Sequence, residues 1–574
     1  MAHQKTSLDH FQQLFGTLIE LSSVALGGEV TTVSDEFFAE ASNLLKVEPA
    51  PSLKGQFGPK GALYSGWESR RHNPNHDWCI IKLGAPGYIS GFDIDTSHFN
   101  GNEAPEASVQ AIYAPETHAP SFDDFSWTEL LPKVGLDPNS PHLYQISGSN
   151  EAYTHVKLNI FPDGGVARFR VYGIVKAIFP KDGSVSIDLA HVLSGGRVVF
   201  TSDQHFGIGS NILLPGRGED MGDGWETKRS RVPGHKDWVV VRLGAPGNLE
   251  HAEIDTAHFM GNFPESCEIH GVHSNDVNPA TESNWVLLLP QVKLGPHRRH
   301  FFQLENVHDK IYTHVRLTIY PDGGVKRLRI LGRRAQGTRL KNVSTAEPNS
   351  IPDDIQEGES TFSINSSDNQ SGSAVLPALP LTPEAFLPFG QVIQAWADHN
   401  AAPPGVKVTP ANQGSAIKFH KLSLIQSSYP EGSFATSGIS VFRCKPLDSP
   451  LGDTWAVRVL ERHPYTNQAF IPMGVGVKLG DDVLETPGKA YLVVVALNGT
   501  DDGPDLKTLR VFVAHSGQGV VYGTGIWHHP MVSLETVMDF ACVETQVGNG
   551  DAKDCEILQL DSKDGLPFVK LPIF

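Results

Sequence analysis

The chain carries one long pattern twice. Asp95-Thr96-Ser97-His98-Phe99-Asn100-Gly101-Asn102 returns as Asp255-Thr256-Ala257-His258-Phe259-Met260-Gly261-Asn262. Around these octapeptides the match continues at an offset of about 160 residues. Ser34-Asp35 matches Ser202-Asp203, Trp67-Glu68-Ser69-Arg70-Arg71 matches Trp225-Glu226-Thr227-Lys228-Arg229, and Lys82 to Gly87 matches Arg242 to Gly247. Trp127 to Pro132 matches Trp285 to Pro290, and Tyr153-Thr154-His155-Val156 through Val166 matches Tyr312-Thr313-His314-Val315 through Val325. A fold that satisfies this sequence must be built at least twice, from units too large for a solenoid and large enough to fold alone.

Inside each unit, short runs of Val, Ile, Phe and Tyr alternate with Gly, Pro, Asn and Asp. His155 to Ile160 has the period-two alternation of a half-buried strand. Pro162-Asp163-Gly164-Gly165 is a turn signal, because proline fixes φ and glycine accepts positive φ. Val166 to Val171 then reads as the returning strand. The expected fold is mainly β, each unit a β-sandwich of jelly-roll type.

Residues 337–376 break the pattern. They are polar and nearly free of large apolar side chains, so they are expected to form a flexible linker. A second sequence type then runs to Phe574. Tyr491 to Leu497 reads as a fully buried strand, and Thr382-Pro383 as the N-cap and first residue of a short helix ending near Phe386. The expected domains are 1–185 and 186–336 for the repeats, 337–376 for the linker and 377–574 for a barrel.

A net charge of −18, spread along 574 residues, argues against nucleic-acid or anionic-membrane partners. A small anionic substrate is still allowed, since a pocket can be locally basic. Five widely spaced cysteines without a Cys-x-x-Cys argue against a disulfide framework and for a reducing compartment. The longest apolar run, Ala490 to Leu497, is too short to span a membrane. The N-terminus shows no secretory signal and the C-terminus is not of the Ser-Lys-Leu type, so the cytoplasm is expected, with other peroxisomal routes left open.

The duplicated octapeptide preserves chemistry rather than core. Asp95 and Asp255, with His98 and His258, are acid/base candidates. Arg71 and Arg229, beside Glu68 and Glu226, suit a carboxylate or a planar ureido group, and Asn102 and Asn262 can offer an amide. The competing reading is scaffold: Asp caps a turn, His fills a hydrogen bond, and a duplicated fold duplicates its turns.

The last domain has its own polar clusters. Glu461-Arg462-His463 leads through Gln468 into a strand, and a glycine-rich stretch delivers Trp527-His528-His529-Pro530. Small barrels of cupin type present pocket ligands in this way. His463, Gln468 and His528 fall near positions that would hold a metal, but no His-x-His occurs there and Gln stands for the usual Glu. No cofactor is therefore assigned, and a divalent metal in this barrel is left as an open alternative.

Together the tandem Asp-Thr-[Ser/Ala]-His-Phe-x-Gly-Asn, Trp-Glu-x-[Arg/Lys]-Arg and Tyr-Thr-His-Val elements resemble the allantoicase family over most of residues 20–335. The resemblance implies two jelly-roll repeats and hydrolysis of allantoate to ureidoglycolate and urea. Glu-Arg-His-Pro…Gln-Ala-Phe-Ile-Pro-Met and Trp-His-His-Pro resemble ureidoglycolate lyase over about 377–560. That resemblance implies a cupin-like barrel, a homo-oligomer, and cleavage of ureidoglycolate to glyoxylate and urea. One departure stands out: Gly523 occupies a position where some members have a His.

The second step needs a base on a hydroxyl and an acid on the departing urea nitrogen. Glu461 or His463 with His528 or His529 are the candidates, Arg462 for the carboxylate and Gln468 for the ureido carbonyl. Two rival readings remain at this stage. One is a non-catalytic carbohydrate- or small-molecule-binding protein whose duplicated tryptophans (Trp67, Trp78, Trp127 and their mates) are sugar platforms. The other is a lyase whose front half is a degenerate scaffold.

Overall fold

The computed structural model describes residues 2–335, apart from 149, 219 and 280–282, and residues 375–573, apart from 475–483, 485, 486, 549 and 562–564. The chain divides into two compact units, Met1–Gln291 with Asp309–Leu340, and Val292–His308 with Lys341–Phe574. The expected linker lies outside the described residues except for Val375 and Leu376, which open a strand. No helix among the described residues is long and apolar enough to cross a membrane. All five cysteines are free thiols.

In the first unit each repeat is organised by one strand of 19 residues, Asp77–Asp95 and Asp237–Asp255. The first half of Asp77–Asp95 pairs with Tyr153–Phe161 and Glu29–Val33. Its second half pairs with Arg168–Val175 and Pro141–Ile146. Between the halves the register jumps, with Lys82 opposite His155 but Gly87 opposite Tyr153. The repeated Leu-Gly-Ala-Pro lies in this jump, where proline can offer no ladder donor. The second repeat has the same jump between Arg242 and Gly247. One strand thus serves both layers of a sandwich, and Ile80, Ile81, Ile89, Phe92 and Ile94 along it are all buried. The mainly β, jelly-roll expectation holds for both repeats.

The octapeptide follows the end of that strand, and half of it is scaffold. Thr96 is buried and its hydroxyl lies 2.7 Å from the Asp137 carbonyl and 2.9 Å from that of Ser140. Phe99 is buried against Gly165, where an added Cβ would come within 2.0 Å of the ring. Phe259 and Gly324 repeat the contact at 1.9 Å. Gly164 has φ +131°, so the turn predicted at 162–165 uses its glycines for two reasons, conformation and clearance. Gly165→Val should therefore destabilise the first unit by about 1–3 kcal/mol through overpacking. Gly135→Ala, which points a methyl into open space, is the control. Equal melting temperatures for the two variants would refute the clearance argument.

The second unit contains a nine-stranded and a five-stranded sheet. Ala490–Ala496 lies in the first and is buried throughout, as predicted. The predicted short helix is Pro383–Phe386, with the Thr382 hydroxyl accepting the Ala385 N–H. Phe386, Phe470, Tyr491, Phe512, Tyr522 and Phe540 fill the space between the sheets. The two sheets curl into a β half-barrel around this core, consistent with the cupin-like expectation.

Candidate active sites

Register places the polar residues of each repeat. On adjacent strands Asp95 faces Arg168 and Asp93 faces Arg170. In the second repeat Asp255 faces Arg327 and Glu253 faces Arg329. A grid of two acids and two guanidiniums is therefore duplicated with the fold. Arg168 is buried and donates to the carbonyls of Glu48, Ser65 and Ala167. Arg170 pairs with Glu20 at 2.7 Å and donates to the carbonyls of Lys46 and Val47. Burial pushes the Asp93 carboxyl up to about 7, with the neighbouring Asp95 charge acting in the same direction. Burial likewise raises Glu20, against the pull of Arg170. None of Asp93, Glu20, Arg168 or Arg170 was singled out from sequence. Arg-x-Arg after Gly-Gly-Val, repeated as Arg327-x-Arg329, was the available signal.

Around the octapeptide, Asn102 donates to Glu68 at 2.9 Å and Asn262 to Glu226 at 2.6 Å. Arg71 donates to the Gly101 carbonyl and lies 3.8 Å from Asp163. Arg229 donates to the Gly261 carbonyl and lies 3.2 Å from Asp322. The structure thus brings Glu68 and Asn102 together, ties Arg71 to the same loop, and repeats this. Burial raises the Glu68 carboxyl, with Asn102 and Arg71 pulling the other way. His98 and His258 sit at positive φ, +71° and +68°, with Nε2 at 2.9 Å from the Ala50 carbonyl and 3.3 Å from that of Gly218. Among the described residues no hydrogen bond joins Asp95 to His98.

In the second unit the strands Val459–Arg462 and Trp527–His528 pair through Glu461 and His528. The His528 Nε2 is 3.7 Å from the Glu461 carboxylate, and the His463 and His528 rings stack at 5.6 Å between centroids. His463 Nδ1 is 2.7 Å from the Asp554 carbonyl and His528 Nδ1 is 3.0 Å from the Ile526 carbonyl. A carbonyl only accepts, so each ring carries a hydrogen on Nδ1 and turns its Nε2 toward the site. Both Nε2 atoms are buried and have no hydrogen-bond partner among the described residues. Burial, and then His463, drive the His528 imidazole down to about 3, so it is neutral at ordinary pH. Burial, with Glu544 nearby, pushes Glu461 up to about 7.

Gln468 lies at the same place, its amide donating to Glu544 at 2.9 Å. That bond leaves the Gln468 Oε1 buried without a partner among the described residues. Arg462 projects elsewhere: it pairs with Asp502 at 2.7 Å and Glu556 at 2.6 Å, and lies over the Trp527 ring. His529 packs edge-on against Trp455, with Nδ1 2.7 Å from the Pro530 carbonyl. The structure therefore gathers Glu461, His463, Gln468 and His528, and directs Arg462 and His529 to other partners. Glu461, His463 and His528 offer donor atoms that all lie within 4.8 Å of one another and can hold a metal ion.

Comparison with known proteins adds to this geometry. The allantoicase repeat family matches residues 19–176 and 187–335, and the ureidoglycolate lyase family matches 373–565. A probable allantoicase of Schizosaccharomyces pombe is 48% identical over 338 residues, 58% of this chain and 98% of that one. The allantoicase of Neurospora crassa is 44% identical over 325 residues, 55% of this chain and 92% of that one. The crystal structure of allantoicase from Saccharomyces cerevisiae is 40% identical, with a TM-score of 0.51, covering 58% of this chain and all of that one.

Proposed function

The chain belongs to the allantoicase family and carries a C-terminal ureidoglycolate lyase domain, and from that premise we propose that it catalyses two consecutive steps of allantoin catabolism. The repeats hydrolyse allantoate to ureidoglycolate and urea, and the C-terminal domain splits ureidoglycolate into glyoxylate and urea. The observation that carries the reading is the convergence of Glu461, His463 and His528 in a domain fused to allantoicase repeats.

Cleavage of ureidoglycolate moves one proton. The hydroxyl loses it, the C–O bond becomes C=O, the C–N bond breaks, and the urea nitrogen takes it up. Glu461, held near 7, suits a group that first accepts and then returns that proton. The Nε2 atoms of His463 and His528 face the substrate as hydrogen-bonding groups, and the Gln468 Oε1 accepts a ureido N–H. Arg462 then acts from a distance, holding the strand through Asp502 and Glu556.

The two bare Nε2 atoms and one carboxylate also fit a divalent cation. Glu461, His463 and His528 would hold it, and it would supply Lewis-acid polarisation of the substrate oxygens. Glu461 would then be a ligand rather than a base. Dialysis against a chelator separates these readings, since activity survives only in the first.

For the first step, one of the octapeptide aspartates, Asp95 or Asp255, takes a proton from water, with His98 or His258 nearby and the Arg71 or Arg229 loop against the substrate. Trp67 and Trp225 are fully buried and donate to the carbonyls of Asp35 and Asp203, which removes them as sugar platforms. We expect the full chain to release two equivalents of urea and one of glyoxylate from allantoate. A chain cut within 337–376 should divide these activities between its halves. Tight binding of allantoate without urea release would sink the proposal.

A further inference from the structure

The two copies of the octapeptide are not equivalent. Asp255 is fully buried, and both its oxygens are taken by Arg217, at 2.6 and 2.8 Å. One of them also accepts the Ala257 N–H. The fork and this N–H occupy most of the carboxylate's roughly four acceptor sites and leave little room for a water. The segment carrying Arg217 is itself fastened to the sheet. Asp223 pairs with Lys326 and with Arg327, and Arg327 donates to the carbonyls of Gly216 and Asp223.

The first repeat lacks this closure. Asp95 is only partly buried and accepts the Ser97 N–H. Among the described residues it has no ion-pair partner. Ala167 stands where the second repeat has Lys326, so the pair to Asp223 has no counterpart. His98 is exposed, whereas His258 is partly covered. Arg168 faces Asp95 in register but spends its donors on loop carbonyls. The carboxylate therefore has a cation beside it and an oxygen left over.

We propose that allantoate is hydrolysed in the first repeat only, with Asp95 as the acting carboxylate, and that the second repeat's copy has become a structural ion pair. This rests on reading the N-terminal unit as an allantoate hydrolase. Asp95 takes a proton from water as the oxygen bonds to the central carbon of allantoate. The C–N bond to one ureido group breaks, and its nitrogen leaves as urea with that proton. Asp255 contributes by holding the Arg217 segment.

The test uses the full chain and normalises allantoate turnover to ureidoglycolate cleavage by the C-terminal domain. Asp95→Asn should lower kcat on allantoate by roughly 10²–10⁴-fold with an unchanged melting temperature. Asp255→Asn should lower the melting temperature and leave kcat on allantoate within about threefold, measured below the transition. Should Asp255→Asn fail to fold, Arg217→Lys replaces it: this keeps the cation but breaks the fork, and kcat should again hold. Full activity in Asp95→Asn, or loss in a folded Asp255→Asn or Arg217→Lys, overturns the assignment to the first repeat alone. Absence of urea release from allantoate by the unmodified chain overturns the underlying reading as well.

Discussion

Glu461→Gln and His528→Ala should each reduce glyoxylate release from ureidoglycolate by roughly 10²–10⁴-fold. Both side chains meet in one place, and their sequence neighbours Arg462 and His529 cannot replace them because they are engaged elsewhere. The pH profile sharpens the expectation. With Glu461 at about 7, its carboxylate is lost as pH falls, so kcat/KM should drop about tenfold per unit below that value. Glu461→Gln should erase that limb along with the rate. Stability responds with opposite signs at the two groups. Glu461 is raised from 4.5 to about 7, so its neutral form favours the fold below 4.5 and that contribution is lost as pH rises through 7. His528 is lowered from 6.5 to about 3, so its contribution is full above 6.5 and lost as pH falls through 3. A pH-independent rate between 5 and 8, or wild-type turnover in either variant, would remove these residues from the chemistry.

Asp223→Ala should cost the first unit about 3–5 kcal/mol. Lys326 and Arg327 are both buried, and Asp223 is the acid they share. Removing it takes from two buried cations the carboxylate they share, and leaves Arg327 facing Asp255, which Arg217 already forks, and Lys326 donating to the Asp220 carbonyl. Burial, and then Arg327, hold the Lys326 amine down to about 8, with Asp220 pulling the other way. The milder comparison is Lys326→Ala, which installs the residue found at Ala167 in the first repeat and leaves Asp223 to Arg327. Thermal melts monitored on the full chain would decide. A loss for Asp223→Ala no greater than that for Lys326→Ala would mean the pair does not bear the load assigned to it.

Much of the architecture could be read from the chain because its cause is local. Period-two runs, Pro-Asp-Gly-Gly and Thr-Pro produce strands, a turn and a capped helix where expected. The sites were harder. Repetition marks a polar residue as needed, but scaffold and site are repeated alike. Thr96, Trp67 and the Ser34–Asp77 bond all serve the fold. Arg168 and Arg170 looked like alternate residues of a strand until register set them opposite Asp95 and Asp93. In the C-terminal domain Glu461 and His463 stand as alternatives in the sequence, as do His528 and His529, and Arg462 reads as a substrate ligand. Strand alternation sends neighbours to opposite faces, and only pairing with Trp527–His528 decides which face holds the site.

The strand Asp77–Asp95 belongs to both layers of its sandwich, as does Asp237–Asp255 in the other repeat. Neither layer can let go without pulling on the other, so a repeat opens as one cooperative block rather than peeling sheet by sheet. The octapeptide sits at the end of that shared strand. Its carboxylate is therefore anchored to a strand that both layers hold, so displacing it means disturbing the whole repeat.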